Sequence, residues 1–317
     1  MVNEGLRSKF NLLKITPFLL RRKWGINLLN FFLKFIRGKN IGDLHNEERV
    51  ITSKDGIHKI RVRLYRPLNA EGKLPVLFYF HGGGMAIGNP EMATVFIKKF
   101  IQTRPCCIIA PDYRKSLSAP FPAAFNDCYN TIIWAKTNAD NLNIEDSKFM
   151  VAGHSAGGGL AVAIALKARD TNDFSIAFQM PMYPMLDDRQ NTKSAKYMDV
   201  PAFDAKALSN CWNYYLKGLI DENEVIPIYA APGRNNDYQN LPPTITFIGE
   251  YDPLRDQTII FVEALKKAGI PLIFKYYKGC FHGFEDVVPN ADISKDAIHF
   301  TFQSFAVFYD RFVLEMN

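Results

Sequence analysis

The sequence predicts an α/β architecture, a mainly parallel central sheet with helices on both faces. Three observations carry this expectation. Apolar runs of strand length alternate with helical patterns along most of the chain. Several of those runs are apolar on both faces, as strands in a covered sheet must be. And 317 residues, 48% of them hydrophobic, can bury one large core.

The first element is a basic, greasy N-terminal segment. On a helical wheel Lys23, Asn27, Asn30, Lys34 and Arg37 fall on one narrow stripe, while Trp24, Ile26, Leu28, Leu29, Phe31, Phe32, Leu33, Phe35 and Ile36 occupy the rest. That is too much apolar surface for a helix lying free in water. Two roles fit: a cap helix packed over a cleft and touching substrate, or an interfacial helix with its cations on the wet side. The narrow stripe favours the cap, so residues 1–45 are expected to form a helical cap segment, with a weak membrane-surface contact through residues 1–40 as the further expectation. A homodimer is the other partner expected.

Alternation predicts a strand over Ile60–Tyr65, and buried-type runs predict two more over 75–80 and 106–110. A helix follows over Ala123–Asn138, then a strand over 149–152, a small-residue helix over 156–169 and a strand over 175–180. Between Pro181 and Pro242 the rhythm lapses into irregular, aromatic-rich sequence around one helix, Asp204–Lys217. The lapse reads as an insertion, at about 184–240, over the active end of the sheet. The alternation resumes with a strand over 244–248, a helix over 255–268, a strand over 272–277 and a closing helix over 297–314. Residues 46–317 therefore form one catalytic domain that contains the insertion.

Charge and cysteines exclude several classes. The net charge of +6 hints at an anionic partner until it is located: residues 1–40 hold nine Lys and Arg against Glu4 alone, and the remaining 29 basic and 31 acidic residues nearly cancel. The body carries no nucleic-acid footprint. Five cysteines, with Cys106 and Cys107 adjacent and no C-x-x-C spacing, make neither a disulfide framework nor a zinc site. Lys14, the Arg21-Arg22-Lys23 cluster and Lys34 interrupt the N-terminal apolar runs. No signal peptide or spanning helix is expected, and so a cytoplasmic protein is.

The chemistry centres on Gly153-His154-Ser155-Ala156-Gly157, at a predicted strand-to-helix junction. It matches the Gly-x-Ser-x-Gly elbow, a strained turn that lifts a nucleophilic serine to the sheet edge. The alternative is a turn whose glycines merely let the helix pack closely. His154 points elsewhere than Ser155 and is expected to be structural or to face substrate. Upstream, His81-Gly82-Gly83-Gly84 follows an apolar strand. It is either a flexible turn or a loop whose amides stabilise an oxyanion. In the second reading Gly83, Gly84 and Ala156 supply the NH groups and His81 braces the loop. A serine needs a base, and the base needs a carboxylate. His282 lies just past the last strand, whereas His299 falls within a helical pattern. Asp252 directly follows a strand, but Asp before Pro253 is also a good helix cap. Asp256, one helical turn on, and Asp286, beyond His282, are the other acids considered.

The set HGGG, GHSAGG, EYDPLRD and FHGF, in that order and spacing, resembles the hormone-sensitive-lipase family of α/β-hydrolases. Asp112-Tyr113-Arg114 through Pro120-Phe121-Pro122-Ala123, and Tyr229-Ala230-Ala231-Pro232 with Leu241-Pro242-Pro243, extend the likeness, which covers about residues 60–290. The resemblance implies the α/β-hydrolase fold, Ser155, Asp252 and His282 as the triad, no cofactor, and a cap built from the N-terminal segment plus the insertion. Two positions depart from the family pattern: His154 stands where Asp is usual, and Lys115-Ser116-Leu117-Ser118 replaces L-A-P-E, removing a carboxylate near the catalytic loop. Neither departure is expected to abolish catalysis.

The expected activity is a serine carboxylesterase acting on a small-molecule ester through an acyl-enzyme. Amide or thioester hydrolysis on the same triad, deacetylation included, is the alternative among enzymes. A non-catalytic small-molecule receptor or a lipid-surface binding protein is the alternative outside them; the presence of His282 argues against the receptor. Tyr183, Met185, Phe203, Trp212, Tyr214 and Tyr215 in the insertion region suggest an apolar pocket for short to medium acyl chains, unless they form the cap's own core.

Overall fold

The computed structural model describes residues 2–7, 9 and 13–315. Of the predicted 1–45 segment, Met1, Ser8 and residues 10–12 lie outside the described residues. The strands are β1 (Leu44–Thr52), β2 (Lys59–Pro67), β3 (Leu74–Phe80), β4 (Cys107–Asp112), β5 (Ile144–His154), β6 (Ile176–Met182), β7 (Thr244–Tyr251) and β8 (Leu272–Phe281). The longer helices are α1 (Ile15–Leu20), α2 (Lys23–Leu33), α3 (Thr94–Thr103), α4 (Ala123–Thr137), α5 (Ala156–Thr171), α6 (Ala205–Tyr215), α7 (Arg255–Lys267) and α8 (Asp292–Tyr309).

Among the described residues the strands form one sheet in the order β1-β2-β4-β3-β5-β6-β7-β8. β1 and β2 are antiparallel to their neighbours and the others run parallel. The central strands are buried nearly throughout, which explains their uninterrupted apolar sequence. Phe78 of β3 meets Phe149 of β5 edge to face at 5.1 Å. On one side α3 and α8 lock together through Phe100 against Phe302 and Phe305, each at 4.9 Å. On the other, α5 and α7 share a cluster around Val162, Leu166, Phe261 and Leu265.

Two elements escaped the apolar pattern. β1 reads Leu-His-Asn-Glu-Glu-Arg-Val-Ile-Thr because it is the outer strand of a hairpin with β2 and buries little; charge suits a free edge, where an apolar strand would invite pairing with other chains. α3 carried a usable signal, since Phe96, Ile97, Phe100 and Ile101 form a buried stripe at helical spacing.

The N-terminal helices lie on the body by polar as well as apolar contacts. Arg21 forms an ion pair with Asp204, Asn210 Nδ2 donates to the Arg21 carbonyl at 2.7 Å, and the Ala202 amide donates to the Leu13 carbonyl at 3.1 Å. The stripe borders a groove on the body's surface: Lys23, Asn27, Lys34 and Arg37 are exposed and Asn30 is half-buried. Asn30 donates to the Ala86 carbonyl at 2.9 Å and accepts from the Gly88 amide at 3.2 Å, and Arg37 reaches Asp112 at 3.2 Å. The loop after β3 holds backbone groups that need partners, and Asn30 supplies two of them. Ile26 of α2 is buried with Ala86 and Ile87, but Trp24, Phe31, Phe32 and Phe35 stay 52–69% exposed. Just beyond, buried Arg61 joins Glu48 at 2.8 Å, Asp112 at 3.3 Å and Glu91, and Glu91 also accepts the Gly38 amide at 2.8 Å. Among the described residues no helix is long and apolar enough to cross a membrane.

Candidate active site

Four loops at the carboxyl ends of β3, β5, β7 and β8 bring together residues far apart in sequence. Ser155 sits at the β5–α5 junction with φ 56° and ψ −118°, a conformation that costs energy for any residue but glycine. It is held there because its amide donates to the Met182 carbonyl at 2.9 Å and its carbonyl accepts from Met185 at 3.0 Å. The neighbouring glycines are steric necessities: a Cβ on Gly157 would lie 2.0 Å from the Phe80 carbonyl oxygen. The elbow therefore folds only where small residues let β3 and α5 close on the serine.

His282 follows β8 and reaches back so that its Nε2 is 2.9 Å from Ser155 Oγ, while its Nδ1 is 2.8 Å from Asp252 Oδ2. Asp252 is buried, and its other oxygen accepts the Leu254 amide at 2.8 Å. The cap reading fails: the helix opens at Arg255 with Leu254 as its cap residue, and Asp252 closes the turn that precedes it. Asp256 is engaged elsewhere, with Arg255 and the Ser194 amide, each at 2.8 Å. His299 is an exposed residue of α8.

The glycine loop curls over the serine. Gly83 and Gly84 have φ of 110° and 60°, and their amides donate to no backbone carbonyl among the described residues. Ala156 opens α5, where an amide has no carbonyl one turn back. Three free donors beside a hydroxyl can stabilise negative charge on a reacting carbonyl oxygen. His81 Nδ1 contacts the Gly82 carbonyl at 2.7 Å, and its ring stacks on Tyr113 at 4.0 Å, whose hydroxyl donates to the His81 carbonyl at 2.7 Å. Burial, with Lys115 nearby, pushes His81 down to about 3.

His154 is also buried, its Nδ1 on the Tyr79 hydroxyl and its ring 4.6 Å from Phe96. Burial, aided by the charge of His282, takes it down to about 3, so it packs as a neutral aromatic. Ser118 Oγ, where the family has a carboxylate, donates to the Lys115 carbonyl at 3.2 Å. Sequence reasoning missed the pair behind His282: Tyr183 donates to Glu285 at 2.6 Å, and burial raises that carboxyl to about 8. Its residues lie 102 positions apart, so no local pattern marks them.

Ser155 and His282 open on a cavity of about 230 Å³. Leu13, Thr16 and Leu20 line it from the N-terminal segment, and Ala202, Phe203 and Cys211 from the insertion. Of the six residues expected to shape the pocket, Tyr183 and Phe203 do so. Met185, Trp212 and Tyr215 are buried in the core, and Tyr214 packs beside α2. Among the described residues no group of three His, Cys, Asp or Glu side chains could hold a metal ion.

A family model for the α/β-hydrolase fold matches residues 77–286, from within β3 to just past His282. The chain belongs to this α/β-hydrolase family. It is 32% identical over 254 residues to a carboxylesterase, NlhH, of Mycobacterium tuberculosis, covering 78% of this chain and 79% of that protein. To an arylesterase of Saccharolobus solfataricus it is 30% identical over 243 residues, covering 72% and 73%. Among solved structures, a bacterial heroin esterase superposes with a TM-score of 0.87 at 29% identity, over 97% of this chain and 98% of that one. The matched region includes Ser155, Asp252 and His282, which the fold brings together at the strand ends.

Proposed function

We propose that the protein is a serine carboxylesterase. Ser155 is the nucleophile: His282 removes its proton, Asp252 orients His282 and stabilises the imidazolium, and the new Ser155–acyl bond forms as the ester's C–O bond breaks and the alcohol leaves with that proton. Water, deprotonated by the same imidazole, then releases the acid. The amides of Gly83, Gly84 and Ala156 hold the oxyanion. The observation that carries this reading is the unbroken chain from Ser155 through His282 to Asp252, at 2.9 and 2.8 Å. A serine-directed phosphonate should add one adduct mass to the intact protein, on the peptide containing Ser155; an unlabelled protein would overturn the assignment.

The same reading makes residues 1–45 and the insertion a cap over the cavity, supported by the lining residues that each contributes. The small, apolar cavity favours short to medium acyl chains. Five buried free thiols support a reducing, cytoplasmic setting. We also propose that α1 and α2 rest on anionic bilayers. Phe18, Trp24, Phe31, Phe32 and Phe35 are exposed beside the cations Arg22, Lys23 and Lys34, a combination that suits a charged lipid surface. Sedimentation with phosphatidylserine vesicles, lost in a Trp24→Ser, Phe32→Ser variant, tests this; a concentration-dependent dimer in its place would assign the face to a second copy.

A further inference from the structure

The cavity contains one carboxyl group that no lysine or arginine beside it offsets. Among the described residues Asp286 is the one acid in the lining, and no Lys or Arg lines it. Asp286 makes no ion pair among the described residues, unlike Asp252, which faces His282, and Asp204, which faces Arg21. Its side chain is accessible, yet the surrounding protein raises its pKa by desolvation. Asp286 thus lines the cavity while solvent still reaches it. Of the histidines in the lining, His81 and His154 are held neutral by burial, and His282 turns its Nδ1 to Asp252. The turn that carries His282 also fixes Asp286, whose amide donates to the Gly283 carbonyl at 3.1 Å.

The same cavity is lined by four aromatic rings, Tyr79, Phe96, Tyr183 and Phe203. A carboxylate set among aromatic faces complements an organic cation, which gains from the ring quadrupoles as well as from the opposite charge. A neutral ester finds only the apolar surface. We propose that Asp286 selects esters bearing a positive charge, an ammonium group carried on the part of the substrate that occupies this cavity. The inference rests on the esterase reading above and names its substrate class. Asp286 acts on selectivity and takes no part in the proton transfers.

The test compares butyrylcholine with its uncharged carbon isostere, in which a tert-butyl group replaces the trimethylammonium, using the full chain at low salt; p-nitrophenyl butyrate is the reference. The wild type should favour the cation in kcat/KM by roughly tenfold, and added salt should erode that preference. Asp286→Asn and Asp286→Ala should bring the ratio close to one, while Asp286→Glu, which keeps the charge, should retain it. If the reference is hydrolysed but the ratio is the same in wild type and Asp286→Asn, the cation proposal falls alone. If the wild type hydrolyses neither the reference nor the pair, the esterase reading falls with it.

Discussion

The cavity has two walls of different origin. The floor comes from strand ends: Ser155, His282, His81 and the glycine loop. The roof comes from the N-terminal segment and the insertion: Leu13, Thr16, Leu20, Phe203 and Cys211. The floor is specified atom by atom, through a strained serine, close backbone contacts and a chain of short hydrogen bonds. The roof presents a mainly apolar lining, with Thr16 its one polar side chain among those named, and is held in place at its back by Arg21 with Asp204. The difference teaches that, in the esterase reading, bond-breaking depends on exact donors and substrate fit on cavity volume, with Asp286 adding a charge from the floor, on the turn that carries His282.

The strongest way to break that comparison is at the floor. Ser155→Ala should lower p-nitrophenyl butyrate hydrolysis by roughly 10⁴- to 10⁶-fold, and activity within tenfold of wild type would show the nucleophile to be elsewhere. Asp252→Asn should cost roughly 10⁴-fold in kcat, while Asp256→Asn stays near wild type. Because Asn can still accept the Leu254 amide, unchanged thermal stability in Asp252→Asn would separate chemistry from the turn. The junction between walls comes next. A Cβ on Gly84 would lie 2.3 Å from Cys211 Sγ, so Gly84→Ala should misplace an oxyanion donor and cost about a hundredfold; adding Cys211→Ala should recover part of the loss, and no recovery would mean that the backbone conformation alone is responsible.

Removing the roof should do less. Deletion of residues 1–40 should lower kcat/KM on soluble esters by about tenfold and raise binding of an apolar dye. Unchanged kinetics with lost vesicle binding would make the segment an anchor and not a cap. The smallest effect is on stability against pH. His81 and His154 are held near 3, below their ordinary 6.5, so their contribution is fully present above about 6.5 and is lost as pH falls toward 3. Glu285, raised to about 8 from 4.5, acts oppositely, its contribution present below 4.5 and lost as pH rises to 8. Thermal melts of His154→Asn should show a flatter acid limb, and those of Glu285→Gln a flatter alkaline one.

The same division explains what was legible in the sequence. Gly157 and Gly83 could be read because few other residues fit their backbone, and the central strands because burial on both faces demands unbroken apolar runs. β1 was silent because an edge strand has one partner and little core to face. The direction of α2 was hidden for a different reason: its stripe could be counted, but which side met the body depended on unpaired groups in the loop after β3. Asp286 was weighed as a triad acid; the fold sets Asp252 against His282 and places Asp286 in the cavity lining.

One joint between the two regions has a consequence for heat. Where α2 gives way to the sheet, Arg61 is ringed by Glu48, Glu91 and Asp112, and Arg37 and the Gly38 amide join the same carboxylates. Keeping such charges out of water becomes less costly as temperature rises, while the gain from apolar contact levels off. On warming, the greasy contacts of α1 and α2 should therefore slacken before this clasp does, leaving the segment tethered at Gly38 and free at its far end.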